Sequence, residues 1–177
     1  PDADYSGPAS FTYTVVDGNG GQSTATATFD IDAVADTPDL TVADVTGQAG
    51  QPVALDIDAA LTDLDGSEVL SVTISGLPAG SLLSAGTANG DGSFTVAAGD
   101  LAGLTVTPPA GAQGDISVDV TATATEQSNG ASATTAAAFV LTLPLANQAP
   151  TDIALDGSSV TENEQGWVVG NLTVSDP

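Results

Sequence analysis

The stretch Asp63-Leu64-Asp65-Gly66-Ser67-Glu68 puts three carboxylates, a hydroxyl and a glycine into one short turn. Acidic side chains placed this way have two chemical uses. They accept hydrogen bonds from neighbouring backbone N–H groups, or they supply oxygen ligands to a hard cation such as calcium. On the first use, Asp65 and Ser67 cap the turn. On the second, Asp63, Asp65 and Glu68 bind calcium together with backbone carbonyls. The spacing leaves both uses open and excludes one version of the second. With Asp63 as position one of an EF-hand loop, Glu68 stands where glycine is required and Ile74 where the closing glutamate is required.

Further carboxylates flank the Thr37-Pro38 step. Asp36 and Asp39 are placed to share an ion with a loop carboxylate, or to stand solvated in a linker. Composition adds weight to the question. The 177 residues include 19 Asp and 4 Glu but no Lys, Arg or His, so the formal charge is −23 and no side-chain salt bridge can form. Two carboxylates 4 Å apart repel by about 4 kcal/mol at an effective dielectric constant of ~20. Each must therefore be solvated, hydrogen-bonded to N–H groups, or bound to metal.

The same composition excludes classes of function. Phosphate binding needs Lys or Arg, so nucleic acid is not an expected partner, and an anionic membrane surface is excluded on the same ground. No apolar run is long enough to insert into a bilayer. Without His, Cys or Lys, a serine nucleophile lacks its usual base. A carboxylate pair of glycosidase type would remain, but aromatic residues that could line a sugar cleft are scarce. The chain is not expected to be an enzyme. The absence of Cys rules out disulfides and again points to metal ions as the staple.

The acidic turn leads into a strand whose apolar residues alternate as Leu70, Val72 and Ile74. The same pattern marks Leu40–Asp44, Val53–Asp58, Phe94–Val96, Leu104–Thr107, Ile116–Ala124 and Ala137–Leu143, which with Val69–Ser75 make seven strands. Turn chemistry separates them: Asn89-Gly90-Asp91-Gly92, Pro108-Pro109 and Ser128-Asn129-Gly130. Short strands at this spacing with no helical period predict an antiparallel sandwich. Before it, Phe11, Tyr13 and Val15 predict a half-buried strand, Asp17 to Gly21 a hairpin turn, and Ala25, Ala27, Phe29 and Ile31 the return strand. After it, strands are expected around Ile153–Leu155 and Trp167–Val174.

These readings divide the chain into residues 1–37, the closing strands of one unit; 38–147, a complete sandwich; and 148–177, the opening strands of another. Ala33 to Pro38 and Ala146 to Pro150 serve as linkers. The expected fold is all-β: tandem immunoglobulin-like or cadherin-like antiparallel β-sandwiches, one complete domain flanked by partial ones, as in a slice of a tandem array.

Certain motifs resemble a known family. Tyr5-Ser6-Gly7, Phe11-Thr12-Tyr13 and Asp17-Gly18-Asn19-Gly20 resemble the final hairpin of cadherin-like repeats in giant bacterial surface proteins. Pro150, Val160-Thr161-Glu162-Asn163 and Asp176-Pro177 resemble the opening of a cadherin-type repeat. Asp63-Leu64-Asp65-Gly66-Ser67-Glu68 followed by Gly76-Leu77-Pro78-Ala79-Gly80 is similar to the immunoglobulin-like extender modules of RTX-type biofilm adhesins. The resemblance implies a secreted, calcium-rigidified stalk at the cell surface, holding a glycan or protein ligand site that lies beyond this segment. It also implies calcium ligation by Glu162 and Asp176, although the linker Ala146–Pro150 lacks the Asp-rich form of animal cadherins. Its partners would be neighbouring repeats of the same chain or identical chains. The alternatives are a filament joined by strand complementation, with one chain's closing strands pairing with another's opening strands, and a glycan- or protein-binding module.

Overall fold

The computed structural model describes residues 5–145, 152–155 and 172–175. The described chain is all-β. The strands follow in order: β1 (Gly7–Val16), β2 (Gln22–Ile31), β3 (Asp39–Ala43), β4 (Val45–Thr46), β5 (Val53–Ala54), β6 (Asp56–Ala60), β7 (Glu68–Ser75), β8 (Leu82–Leu83), β9 (Thr87–Ala88), β10 (Phe94–Ala97), β11 (Thr105–Thr107), β12 (Gly114–Glu126), β13 (Ser132–Leu143), β14 (Asp152–Leu155) and β15 (Leu172–Ser175). A single 3₁₀ turn, Ala98–Asp100, follows β10.

The sandwich has one broad layer, a sheet in the order β4-β13-β12-β7-β10-β9. Its second layer combines the β3-β6 pair with the β5-β11-β8 sheet, and Leu55 N–H crosses to Leu104 O at 2.9 Å. Period-two alternation explains the core. From the broad sheet, Val72, Ile74, Val118, Val120, Leu141 and Leu143 point inward and are wholly buried. Val53, Leu55, Ile57, Leu104 and Val106 meet them from the other layer. The intervening positions carry Asp56 and Asp58, both exposed.

The strand expected over Val53–Asp58 is divided at Leu55 between two sheets, β5 pairing with β11 and β6 with β3, because the chain passes there from one sheet to the other. Two further features of the sandwich depart from the sequence reading. The first is β4, a two-residue strand too short to show a pattern. It pairs parallel to β13, with Val45 opposite Leu141 and Thr46 opposite Thr142, in an otherwise antiparallel fold. Gly47 N–H extends the ladder to Thr142 O at 3.1 Å, and Val140 N–H donates to Asp44 Oδ1 at 2.8 Å. The second is the length of β12 and β13, which run on through Thr- and Ala-rich segments that lack strong apolar signals. Gly76, just after β7, has φ +83°, and a Cβ there would stand 2.6 Å from Ser117 O, so the turn requires glycine.

β1 and β2 form a regular ten-pair hairpin. Asp17 closes it, its Oδ1 accepting the N–H groups of Asn19 (2.8 Å) and Gly21 (2.9 Å). One face holds Phe11, Tyr13 and Phe29, with ring centroids 6.2 Å apart for Phe11–Tyr13 and 6.3 Å for Phe11–Phe29. The expectation of a half-buried strand does not hold for the described residues: Phe11 is 57% and Val15 60% exposed, because no second layer covers a two-stranded sheet here. The hairpin and the sandwich fall within one compact unit, residues 1–144, and residues 145–177 form a second. In that second unit β14 pairs antiparallel with β15, Ile153 opposite Val174. The earlier part of the strand expected over 167–174 lies outside the described residues.

Candidate functional site

The inward face of β7 carries Leu70, Val72 and Ile74, and two residues earlier on the same face stands Glu68. The inward face of β12 carries Val118, Val120, Ala122 and Ala124, and the next position on that face is Glu126. The strands are antiparallel neighbours whose register sets Glu126 directly opposite Glu68. Two carboxylates thus face each other at one end of the hydrophobic core, only 6% and 3% exposed.

This arrangement is costly by itself. Directly opposed side chains on one face hold their Cβ atoms ~4.5–5.5 Å apart, and like charges there destabilise a sheet. At an effective dielectric constant of ~20, charges about 5 Å apart repel by about 3 kcal/mol. The chain contains no cationic side chain to offset this. Hydrogen bonding reaches only one oxygen of each group. Glu68 Oε1 accepts Asp36 N–H at 2.7 Å, and Glu126 Oε1 accepts the Ser67 hydroxyl at 3.3 Å. Glu68 Oε2 and Glu126 Oε2 are buried with no hydrogen-bond partner.

The acidic turn before β7 supplies a third buried carboxylate. Asp63 is 5% exposed; its Oδ1 accepts Asp65 N–H at 2.8 Å and its Oδ2 lies 3.5 Å from the same Ser67 hydroxyl that reaches Glu126. Ser67 therefore sits between Asp63 and Glu126. Gly66, at φ +89°, provides the left-handed step that the turn needs. Asp65 points outward, and its Oδ1 caps Ser67 N–H at 2.7 Å.

The segment from Ala33 to Pro38, expected to be a linker, is docked against the sandwich. Asn129 Nδ2 donates to Ala33 O at 2.7 Å, Thr62 Oγ1 to Thr37 O at 3.0 Å, and Thr135 Oγ1 to Pro38 O. Ala33 and Pro38 are buried. A cleft of about 250 Å³ opens between this segment and the sandwich, lined by Tyr5, Asp32, Ala33, Asp36 and Glu126 among others.

Of the carboxylates singled out in the sequence, the structure brings Asp36, Asp63 and Glu68 to one region. Asp65 and Asp39 are exposed, Asp39 lying on β3 opposite Ala60. Glu162 and Asp176 lie outside the described residues. Glu126 was missed. Its signal was the continuation of the Val118/Val120 alternation through two alanines, which places it inward. The donors are all oxygen, the preference of calcium, and the two orphaned buried oxygens fit such an ion. Among the described residues, no group of three acidic side chains stands close enough together to hold a metal ion.

Elsewhere, carboxylates are stabilised by turn hydrogen bonds. The backbone N–H groups of Asn19 and then Gly21 hold Asp17 below its ordinary value of 3.8. The Ser67 side chain and backbone do the same for Asp65, and the Ser93 side chain and backbone for Asp91. A depressed carboxyl pKa stabilises the fold above the unfolded value and loses that contribution as pH falls through the folded one. The triple variant D17N/D65N/D91N is therefore expected to melt slightly below the unsubstituted chain at pH 6, the margin being small because all three carboxylates are solvent-screened. This gap closes as the pH is taken below 3.8. Calorimetry across pH 6 to about 2 checks this.

The family model of the cadherin-like domain matches residues 1–32, the segment that contains the β1–β2 hairpin. No curated protein and no solved structure matches the chain. The hairpin is thus similar to part of a cadherin-like domain, and the all-β sandwich that follows fits that class. No helix among the described residues is long and apolar enough to cross a membrane.

Proposed function

We propose that this chain is a structural extender segment of a secreted, calcium-rigidified bacterial adhesin of RTX or biofilm type, acting at the cell surface by transmitting tension. The observation that carries this reading is the parallel pairing of β4 with β13. β4 lies near the start of the sandwich and β13 ends it. Because the two are parallel neighbours, the chain enters the sandwich at one end and leaves at the other. Tension along the chain loads their hydrogen bonds, together with Gly47 N–H to Thr142 O, in shear and all at once. The cadherin-like match over residues 1–32 supports a tandem arrangement with further repeats as partners. Calcium in this reading cancels carboxylate repulsion and stiffens the join between hairpin and sandwich.

Single-molecule pulling on the full chain in calcium tests the proposal. The expected trace has one dominant rupture that releases about 350 Å of chain, from the length of the sandwich segment at ~3.3–3.6 Å per residue. Val45→Pro is expected to lower the rupture force far more than it lowers the thermal midpoint, since proline disrupts the short ladder while Val45, only partly buried, contributes at the margin of the core. Rupture at the same force in both chains would show that β4–β13 bears no load.

A second reading, a filament joined by strand complementation between identical chains, is favoured by the exposed aromatic face of β1–β2 and by its two edges, which no strand among the described residues pairs. Concentration-dependent polymers in sedimentation would support it over a monomeric stalk.

A further inference from the structure

We infer that Glu68 and Glu126, with Asp63 and Asp36, form a binding site for one calcium ion that clamps the Ala33–Pro38 segment to the end of the sandwich core. This deepens the calcium-stiffened extender reading and rests on it. The acidic residues alone would be weak grounds. The stronger ones are two side chains more than nine-tenths buried, opposed in register on the inward face, each with an oxygen that no protein group satisfies. Neither carboxylate has a cationic partner anywhere in the chain. Buried carboxylates are retained when paired, neutralised by a proton or metal-bound; no cationic side chain can pair these two, and their orphaned oxygens favour a shared ion.

The surroundings fit a hard dication. Asp63 is buried beside Glu126 through the shared Ser67 hydroxyl, and Asp36 lines the adjoining cleft with Glu126 while its own N–H holds Glu68. All these groups are oxygen donors, and the cleft lined by Asp36 and Glu126 opens the site to an ion and its water ligands on that side. The ligands come from the acidic turn with β7, from β12, and from the segment that joins hairpin to sandwich. Binding therefore ties three separate stretches together and reinforces the hydrogen bonds that already dock the joining segment. Asp65 and Asp39 fall outside the site because both are exposed, Asp65 on the outer side of the turn and Asp39 on β3.

The test is titration of the full chain with terbium, a hard cation with the oxygen preference of calcium, read by emission sensitised through tyrosine and displaced by calcium. Tyr5 lines the cleft and is the expected sensitiser. E68Q and E126Q should each weaken binding at least about tenfold, since even outer-shell partners of metal sites cost about that much. D65N and D39N should bind as the unsubstituted chain does. In chelator, E68Q and E126Q should melt at or above the unsubstituted chain, because each removes one of two unrelieved buried charges; this also shows that they fold. Unchanged affinity in both glutamine variants overturns the site while leaving a calcium-bound extender. Absence of calcium-displaceable binding in the unsubstituted chain overturns the site and the calcium part of the extender reading together, and the pulling experiment then judges the mechanical part. Glutamine variants that melt below the unsubstituted chain in chelator also overturn the site, since protein groups alone would then be holding the carboxylates.

Discussion

In excess chelator the full chain is expected to unfold about 5–10 °C below its midpoint in millimolar calcium. A ligand that binds only the folded form at about a hundredfold excess over Kd stabilises by ~2.7 kcal/mol, and each kcal/mol moves the midpoint of a domain this size by ~2–4 °C. The effect should exceed generic screening, because the groups concerned are buried. Exposed charges respond to the Debye atmosphere, which is about 8 Å deep at physiological salt, while Glu68 and Glu126 are largely shielded from it. Magnesium and sodium at matched ionic strength are therefore expected to recover only a minor part of the shift. Magnesium demands near-ideal octahedral geometry and gives up its waters reluctantly, so carboxylates held on strands suit it poorly. Scanning calorimetry in calcium, magnesium, sodium and chelator checks this. Equal midpoints in calcium and chelator would remove calcium as the staple of this segment.

The second large effect lies in the core. Ile74→Ala is expected to cost about 3–4 kcal/mol and to lower the midpoint by about 10 °C. Ile74 is wholly buried on β7, paired with Phe94 on β10 and Val120 on β12, with no solvent on any side. Truncation leaves a cavity that the flanking strands cannot close without breaking their ladders. Leu64 offers the contrast within the same region. It is 87% exposed, and Leu64→Ala is expected to change stability by no more than ~0.5 kcal/mol. Thermal unfolding in calcium measures both, and a small loss at Ile74 would mean that the two layers are not packed as described.

Most of the sandwich was legible in the sequence because its strands alternate strongly. Leu70/Val72/Ile74 and Ile116/Val118/Val120 each announce a strand and its buried face without reference to any other residue, whereas Val53/Leu55/Ile57 announces a buried face that two short strands share. The two-residue strands β4, β8 and β9 were not legible, because a period cannot be read from two positions. The far halves of β12 and β13 were understated for a related reason: Ala and Thr mark a face weakly, and here the neighbouring ladder, not the local pattern, keeps them extended. The hairpin's aromatic face was read correctly as a face and wrongly as half-buried, since alternation reports which residues share a side and not whether anything covers it.

The candidate site divides along the same line. Local spacing alone marked Asp63, Asp65 and Glu68 as a carboxylate turn, and composition alone established that no cationic side chain could relieve them. Which of them are buried, and that Asp65 is a cap, required the fold. So did Glu126, which stands 58 positions from Glu68 and meets it only through the β7–β12 register. Asp36 joins them because the segment from Ala33 to Pro38 docks through Asn129, Thr62 and Thr135, contacts that no local pattern encodes. The sequence by itself determined the class of fold, the inward faces and the unrelieved negative charge, because these follow from residue type and period. Only the tertiary structure decided the parallel β4–β13 pairing and the opposition of two buried glutamates. Both depend on which strands become neighbours and in what register, a choice made by packing the whole core.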